Sequence, residues 1–324
     1  MKKTLLLPLL LIATFSSHAN IIHNDFSIVI NGDASLGQGV HVHGGAYIGG
    51  NMNVDGWNSS FGSDIEAGKT SLYVVGDITG NRRLDLMNKN YYIGGDNKNN
   101  LQNSGSEVDS NTIDDDFFEF YKRQSVTMSN MEDSGVYIDS RDNNQIKINL
   151  FPGELNVINL NEENSGFLSK QNSNLLFNNF TNDTFVIVNY DLSSDLLFKS
   201  KNQNLQTNVF DNVIWNFYGG GELTMDQSVS TFKGSILAVD SLVDWKANDI
   251  DGQLVANELN WGNTSQSHLY SPWVNMDNFG LSELNVPLPD ISNVTEPKAA
   301  VFLLVLLMLL INQMRNKGLT LRIR

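Results

Sequence analysis

A short pattern recurs four times in the first hundred residues: an apolar run that ends in glycine, followed by aspartate or asparagine. It occupies residues 28–33, 47–51, 72–77 and 91–96. The glycines directly before the acid or amide are 18, 26 and 19 residues apart: Gly32, Gly50, Gly76 and Gly95. This spacing is typical of the coils of a β-solenoid. Glycine is expected at each sharp corner because it adopts positive φ freely.

The pattern returns in a second form near the end of the chain. Residues 234–238 read Gly-Ser-Ile-Leu-Ala and residues 252–256 read Gly-Gln-Leu-Val-Ala. Because the segments begin 18 residues apart, coils stacked in register place Ile236 over Leu254 and Ala238 over Ala256. The sequence therefore predicts a mainly β fold, a parallel β-helix (β-solenoid). A β-sandwich is the alternative, because short strands with glycine-rich turns also build one.

One segment departs from the β pattern. Between residues 114 and 131 the apolar residues follow helical rather than alternating spacing, and three aspartates at 114–116 suit a helix start. We therefore expect one α-helix at about residues 114–131 that flanks or caps the solenoid. Residues 184–190 are predicted as a strand.

Both ends of the chain carry targeting patterns. Two lysines, an apolar stretch and small residues predict a signal peptide at residues 1–19, cleaved after Ala19. At the other end, Thr295-Glu296-Pro297 precedes a 13-residue apolar run from Ala299 to Ile311. A basic terminus follows, which includes Arg315 and Lys317. Positive charge favours a C-terminus that is initially cytoplasmic.

The C-terminal pattern resembles the PEP-CTERM sorting signal, in which Pro-Glu-Pro, a short span and a basic end are processed by an exosortase. Threonine stands in place of the first proline here. The resemblance implies an exosortase-like sorting transpeptidase as a partner. A simple membrane anchor and a chance apolar helix are the alternatives. As a helix the apolar run spans about 20 Å, which is short of the roughly 30 Å hydrocarbon core.

These patterns predict the domain organisation: a signal peptide at 1–19, a β-solenoid domain at 20–280, a spacer with the Glu-Pro motif at 281–297, and a hydrophobic helix with a basic tail at 298–324. Such a protein is exported and held at the envelope or extracellular surface of a Gram-negative-type bacterium. Its tail contacts the membrane.

Charge and cysteine content limit the function of the central region. Residues 1–19 and 298–324 hold seven of the 21 basic residues and none of the 36 acidic ones, which leaves a net charge near −22 between them. Such a surface repels nucleic acid, so we expect no nucleic-acid partner. The chain has no cysteine, which excludes disulfides and thiol chemistry.

An ordered set of motifs resembles the choice-of-anchor A family of bacterial envelope proteins. The matching segments are 73–77, the helix after Asp114, 157–160, 213–217, 234–238, 252–256 and His268. Val239 departs from the family pattern, which usually has proline there. The resemblance implies an adhesive, β-helical domain.

Few residues suggest chemistry. His41-Val42-His43 places two imidazoles on one strand face, as a metal site could use. No third ligand is evident nearby, so we expect a solvated strand face rather than a metal site. His268 is expected to pack or to form a hydrogen bond at a cap near the domain end. Asp249 and Asp251 share a strand face and are the candidate calcium ligands, or paired acids of a glycosidase; polar corner residues are the alternative.

Tryptophans are the candidates for ligand recognition. Trp245 and Trp261 occupy similar places in neighbouring coils and could stack on a sugar, with stacking inside the core as the alternative. Threonines do not form the ladder at solenoid spacing that ice binding would require. We interpret the chain as a non-catalytic adhesin with no catalytic residue and no cofactor other than a candidate calcium ion. It acts in adhesion, or in matrix or biofilm association, with extracellular polysaccharide as a candidate ligand. A polysaccharide-active enzyme and a self-associating surface protein are the alternatives.

Overall fold

The computed structural model describes residues 25–272, except 81, 98, 99, 111, 112, 114–116, 162, 172, 201 and 263. The chain divides into two compact units, Met1–Leu284 and Asn285–Arg324, and every described residue belongs to the first. The signal peptide with Ala19, the Thr295-Glu296-Pro297 motif and the basic apolar tail therefore lie outside the described residues. Within residues 25–272, no described helix combines the length and apolar character needed to cross a membrane.

Strands dominate the described residues. The N-terminal strands are β1 Phe26–Ile30, β2 Ala34–Leu36, β3 His41–Val42, β4 Gly45–Ile48, β5 Met52–Val54, β6 Ser59–Phe61, β7 Thr70–Val74, β8 Ile78–Gly80, β9 Arg83–Ile93 and β10 Asn100–Glu107. Helix α1, Phe117–Ser129, follows. The next strands are β11 Tyr137–Asp142, β12 Gln145–Asn149, β13 Leu155–Leu160, β14 Asn174–Asn178, β15 Phe185–Asp191, β16 Leu196–Phe198 and β17 Asn202–Gln203. After a 3-10 helix, Thr207–Asn212, come β18 Val213–Tyr218, β19 Leu223–Met225, β20 Thr231–Lys233, β21 Ser235–Trp245, β22 Asp249–Asp251, β23 Leu254–Trp261 and β24 Gln266–His268.

Successive coils form three sides, each a ladder of parallel strands. Side 1 stacks β13, β15, β18, β21, β23, β1, β4, β7, β9 and β10. Side 2 stacks β16, β19, β21, β23, β2, β5 and β8. Side 3 stacks β20, β22, β24, β3, β6 and β9. The β-solenoid is therefore confirmed, and the β-sandwich alternative is wrong, because a sandwich is built from antiparallel sheets.

The solenoid is assembled from two chain segments that meet at a seam. The last described coil, β23 and β24, pairs with the first coil on all three sides. The pairs are Ile28 with Leu254, Ser35 with Asn260, and Val42 with Ser267. Residues 26–107 therefore continue a stack that residues 155–268 begin. The connection between the two segments contains α1.

The predicted 18-residue register is confirmed. Ile236 pairs with Leu254, and Ala238 pairs with Ala256. All four side chains are buried. Because the side-chain period of a strand is two, this register keeps the same residues pointing inward in every coil.

The corner glycines are required for a different reason from the one the sequence predicts. Gly32, Gly50, Gly76 and Gly95 do not have positive φ. Instead, a Cβ atom on Gly50 would lie 2.6 Å from the carbonyl carbon of Gly32, and one on Gly95 would lie 2.9 Å from that of Gly76. At Gly50, Gly76 and Gly95 the close approach of the preceding coil leaves no space for a side chain, whereas at Gly32 the nearest atom, the carbonyl oxygen of Asn257, would lie 3.1 Å away.

The acid or amide after each glycine connects neighbouring coils. Oδ1 of Asp33 accepts a hydrogen bond from the backbone N–H of Asn51 at 2.6 Å. Oδ1 of Asn51 accepts one from Asp77 at 2.9 Å, and Oδ1 of Asp77 accepts one from Asp96 at 2.8 Å. The recurring glycine and the aspartate or asparagine after it therefore have a structural role, because they connect the corners of successive coils by hydrogen bonds.

Helix α1 covers the middle of side 1, from β15 to β4. The expected helix is confirmed, with bounds Phe117–Ser129, and it buries Phe117, Phe118, Tyr121 and Met128. Under the helix, β1, β15 and β18 are consequently buried on both faces and read as nearly continuous apolar runs. At the end of side 1, β10 is largely exposed.

A buried asparagine ladder fixes the second half of α1 to the sheet. Asn159, Asn189 and Asn216 pair across β13, β15 and β18. Nδ2 of Asn189 donates to the carbonyl of Met128 at 2.6 Å, and Ser125 Oγ donates to Oδ1 of Asn216 at 2.7 Å. The ladder supplies partners for polar groups where helix and sheet meet.

Candidate ligand-binding face

Sides 2 and 3 expose alternate residues, whereas α1 covers the middle of side 1. In β2 and β16 the central side chain is exposed and its two neighbours are buried. The outward side chains of side 2 form one row across the strands, which we call a rank. Its members are paired between neighbouring strands: Leu197, Thr224, Asp244, Asn260, Ser35, Asn53 and Thr79. Its two threonines are far apart in this rank, so side 2 carries no threonine ladder.

Side 3 carries the polar residues that the sequence singles out. One outward rank contains Thr231, Asp249, Gln266, His41, Ser60 and Asp85. The second contains Lys233, Asp251 and His268, and His43 directly follows β3 beside them. Phe232, Ile250 and Val42 lie between the two ranks and are buried. Alternation thus places a wholly polar surface over an apolar core.

Two histidines and two aspartates meet where the seam crosses side 3. Nδ1 of His268 lies 2.6 Å from Oδ1 of Asp251, and Nδ1 of His43 lies 3.2 Å from Oδ2 of Asp64. The two imidazole rings are edge to face, with centroids 4.6 Å apart. The sequence did not reveal this neighbour of His43, because the seam brings together residues from opposite ends of the domain.

A third acidic residue, Asp211, lies near the cluster. Burial raises the pKa of Tyr270, and the charges of Asp251, Asp211 and Asp64 raise it further. Burial also raises the pKa of Asp211 to about 6. A cation or a hydroxyl-rich ligand would therefore suit this part of side 3 better than an anion would.

The two candidate calcium ligands lie on side 3, but each carboxylate already has a protein partner. Oδ1 of Asp249 accepts from the backbone N–H of Gln266 at 2.9 Å, and Asp251 contacts His268. Asp244, in the preceding coil, lies on side 2 and forms an ion pair with Lys246 at 2.5 Å. Within the described ranges, no group of three or more histidine or acidic side chains is arranged to hold a metal ion.

The tryptophan pair is in the core. Trp245 and Trp261 are 0% and 1% exposed, with ring centroids 5.5 Å apart. The carbohydrate-stacking role is therefore wrong for this pair, and the core-stacking alternative is confirmed. Trp215 is buried as well, and Trp273 lies outside the described residues. Trp57, by contrast, is 55% exposed.

A cavity of about 230 Å³ opens among the side-3 strands β3, β6 and β9. His41, Ser60, Arg83 and Asp85 contribute to its lining. Nδ1 of His41 lies 2.7 Å from Oγ of Ser60, and a guanidinium nitrogen of Arg83 lies 3.8 Å from Oδ2 of Asp85. The cavity thus presents imidazole, hydroxyl, guanidinium and carboxylate groups.

Comparison with known proteins agrees with this architecture. A family model described as "Putative Ice-binding-like adhesive domain" matches residues 20–269, which is most of the chain. No curated protein and no solved structure matches the chain. The match begins directly after the predicted cleavage site and ends just after β24. The chain therefore belongs to the family of Putative Ice-binding-like adhesive domains.

Proposed function

We propose that this chain is an exported bacterial adhesin, anchored at the cell envelope, that binds extracellular polysaccharide or biofilm matrix through side 3. Membership of an adhesive-domain family suggests a non-catalytic, adhesin-type protein at an extracellular or surface location. The finer role, matrix or biofilm association, is our inference from the exposed side of the solenoid.

One observation carries this proposal: two polar ranks run in register across side 3 over a rigid apolar core. A repeating surface matches a repeating polymer, because several weak contacts along one chain add up in overall affinity. The core also fixes the backbone before binding, so little ordering is required when a ligand arrives.

The enzyme alternative depends on a specific contact. Asp251 and His268 lie within hydrogen-bonding distance and are the groups that a polysaccharide-active enzyme on this scaffold would use for proton transfer. Release of reducing sugar distinguishes that alternative from adhesion.

The self-association alternative would use the open end of the solenoid, and both ends carry features that oppose strand addition. At β13 the edge groups are occupied: Ser134 N–H donates to Val157 O, and Asn159 N–H donates to Asp133 Oδ2, at 2.9 and 2.7 Å. At the other end the pairing of β10 is interrupted by register shifts on both sides of Ser104. Occupied or bulged edges discourage pairing with another chain.

Retention at the envelope is proposed from the two termini. Cleavage after Ala19 would release the domain, and an exosortase-like enzyme would process the tail at Thr295-Glu296-Pro297, as the resemblance to PEP-CTERM and choice-of-anchor A proteins implies. Mass spectrometry of the protein recovered from producing cells tests this. A C-terminus near residue 297 supports processing, whereas an intact Arg324 supports a simple anchor.

Cell adhesion tests the role of side 3. Cells that display the full chain should be retained on a surface coated with matrix polysaccharide. Gln266→Arg places a bulky side chain on side 3 and should reduce retention, whereas Ser35→Arg does the same on side 2 and should leave it unchanged. Equal retention of both variants and the wild type would exclude side 3 as the binding face.

A further inference from the structure

We propose that Trp57 and the neighbouring cavity of about 230 Å³ form a binding subsite for one ring of a neutral glycan. This inference rests on the proposed adhesive function and names the ligand class and the residues that contact it. Trp57 lies in the turn that connects β5 on side 2 to β6 on side 3.

The indole ring of Trp57 is exposed and held in place. More than half of the side chain is exposed, at 55%, although the Arg82 guanidinium carbon lies 4.7 Å from the ring centroid. Nε of Arg82 donates to the carbonyl of Asp55 at 3.1 Å, which holds the guanidinium over the ring. An exposed indole is an apolar surface that a sugar ring can cover, and its stacking geometry needs little further ordering.

The backbone around Trp57 is also fixed. The carbonyl of Trp57 accepts a hydrogen bond from Gly39 N–H at 2.9 Å, which ties the turn to the preceding coil. A side chain on Gly56 would collide with the backbone of Gly37 and Gln38. Asn58 adopts positive φ, at 61°, which asparagine tolerates. The turn therefore presents Trp57 on a preorganised support.

The residue after Trp57 belongs to the cavity. Asn58 lines it together with Ser60, Asp85 and Arg83. Amide, hydroxyl and carboxylate groups are suitable partners for sugar hydroxyls, since each can donate or accept hydrogen bonds. The volume is below the roughly 300–1,000 Å³ of pockets that enclose drug-sized ligands, so it suits a single sugar ring at the edge of a longer chain.

Charge favours a neutral glycan over an acidic one. The region between the targeting segments carries a net charge near −22. The two arginines at the subsite already have protein partners, the carbonyl of Asp55 and the carboxylate of Asp85. A polyanionic glycan would be repelled by the domain and would find no uncommitted cation among these two arginines.

Binding of neutral oligosaccharides to the purified full-length chain tests the subsite. The probes are tetra- to hexasaccharides of β-glucan, mannan and chitin, titrated while acrylamide quenching of tryptophan fluorescence is recorded. Since Trp215, Trp245 and Trp261 are buried, a bound glycan should protect Trp57 from the quencher. The Trp57→Phe variant gives the remaining signal, including that of Trp273.

We expect Trp57→Ala to weaken binding of the best probe at least tenfold, the equivalent of about 1.4 kcal/mol, and Trp57→Phe to retain part of the affinity because a ring remains. Tyr137→Ala is the matched control, because Tyr137 is 61% exposed in β11, away from this corner, and should bind as wild type does. Equal affinity of Trp57→Ala and wild type, or no binding of any neutral probe by wild type, would overturn the subsite.

The adhesion assay separates this inference from the proposed function. If Trp57→Ala leaves the oligosaccharide affinity unchanged while Gln266→Arg reduces cell retention, the subsite is wrong and the adhesive function stands. Retention that is abolished by protease treatment of the matrix, and not by glycan digestion, would identify a protein ligand and would also overturn the subsite.

Discussion

Replacement of Asn189 by aspartate should be among the most destabilising isosteric changes in the domain. Asn189 is 1% exposed, and its Nδ2 donates both to the Met128 carbonyl at 2.6 Å and to Asn159 Oδ1 at 2.8 Å. In Asn189→Asp an oxygen replaces this nitrogen and faces two acceptors. Each buried acceptor that loses its donor costs about 1–3 kcal/mol, and the buried charge adds to this. We expect a loss of about 4 kcal/mol in the free energy of unfolding at pH 7.

Thermal and urea unfolding of the full-length variant measure this loss. For a domain of this size, about 4 kcal/mol corresponds to a decrease in Tm of roughly 8–16 °C. Asn143→Asp is the matched control, because Asn143 is exposed and its Oδ1 accepts from Lys170 Nζ, which a carboxylate does equally well. Its effect should be within about 0.5 kcal/mol. A Tm for Asn189→Asp that is indistinguishable from that of the control would refute the asparagine ladder as the attachment of α1.

Three further changes test other parts of the fold. Gly50→Ala should cost about 3 kcal/mol in urea unfolding because its Cβ meets the Gly32 backbone, whereas Gly166→Ala, which has open space around it, should be nearly neutral; equal effects would contradict the close-approach explanation. Trp261→Ala should cost about 3–5 kcal/mol but leave glycan affinity unchanged at 4 °C, and a selective loss of binding would contradict its place in the core. Asp211 has a half-buried carboxyl whose pKa is raised to about 6, so folding favours its protonated form. The loss of stability from burying the charged carboxylate is absent below about pH 4 and complete above about pH 6. Asp211→Asn should therefore stabilise the chain by about 1 kcal/mol at pH 7.5, after allowance for solvent screening, and hardly at all at pH 4; the same gain at both values would exclude the burial of charge as its cause.

The sequence predicts the repeat well because most coils pair with the next coil along the chain. Their pairing is therefore visible as a short interval in the sequence. An 18-residue interval between residues 234–238 and residues 252–256 is sufficient to predict that Ile236 lies over Leu254, and the structure has this pair. The helix is likewise visible as a change of period. Each of these features is encoded within one coil or one short segment.

The seam and the site are not visible in the same way. Pairing of Ile28 with Leu254 joins opposite ends of the domain, and no spacing within the sequence specifies it. The His43 and His268 contact depends on that pairing. The tryptophans show a second limit of prediction from sequence. Trp245 and Trp261 recur at equivalent positions because they pack in the core, whereas the exposed Trp57 belongs to no repeat. The available signal for an exposed Trp57 was the position of an aromatic residue in a turn, directly after Gly56.

Binding to matrix polysaccharide with simultaneous detection of reducing sugar tests the adhesive account most directly. Purified full-length chain is incubated with immobilised polysaccharide, once with calcium and once with chelator, and both bound protein and released sugar are measured. The account predicts specific retention without sugar release, and a loss of retention with chelator would identify Asp249 and Asp251 as the place to look for a calcium ion. Sugar release that disappears in His268→Ala, or retention no greater than that of an albumin control, would contradict it.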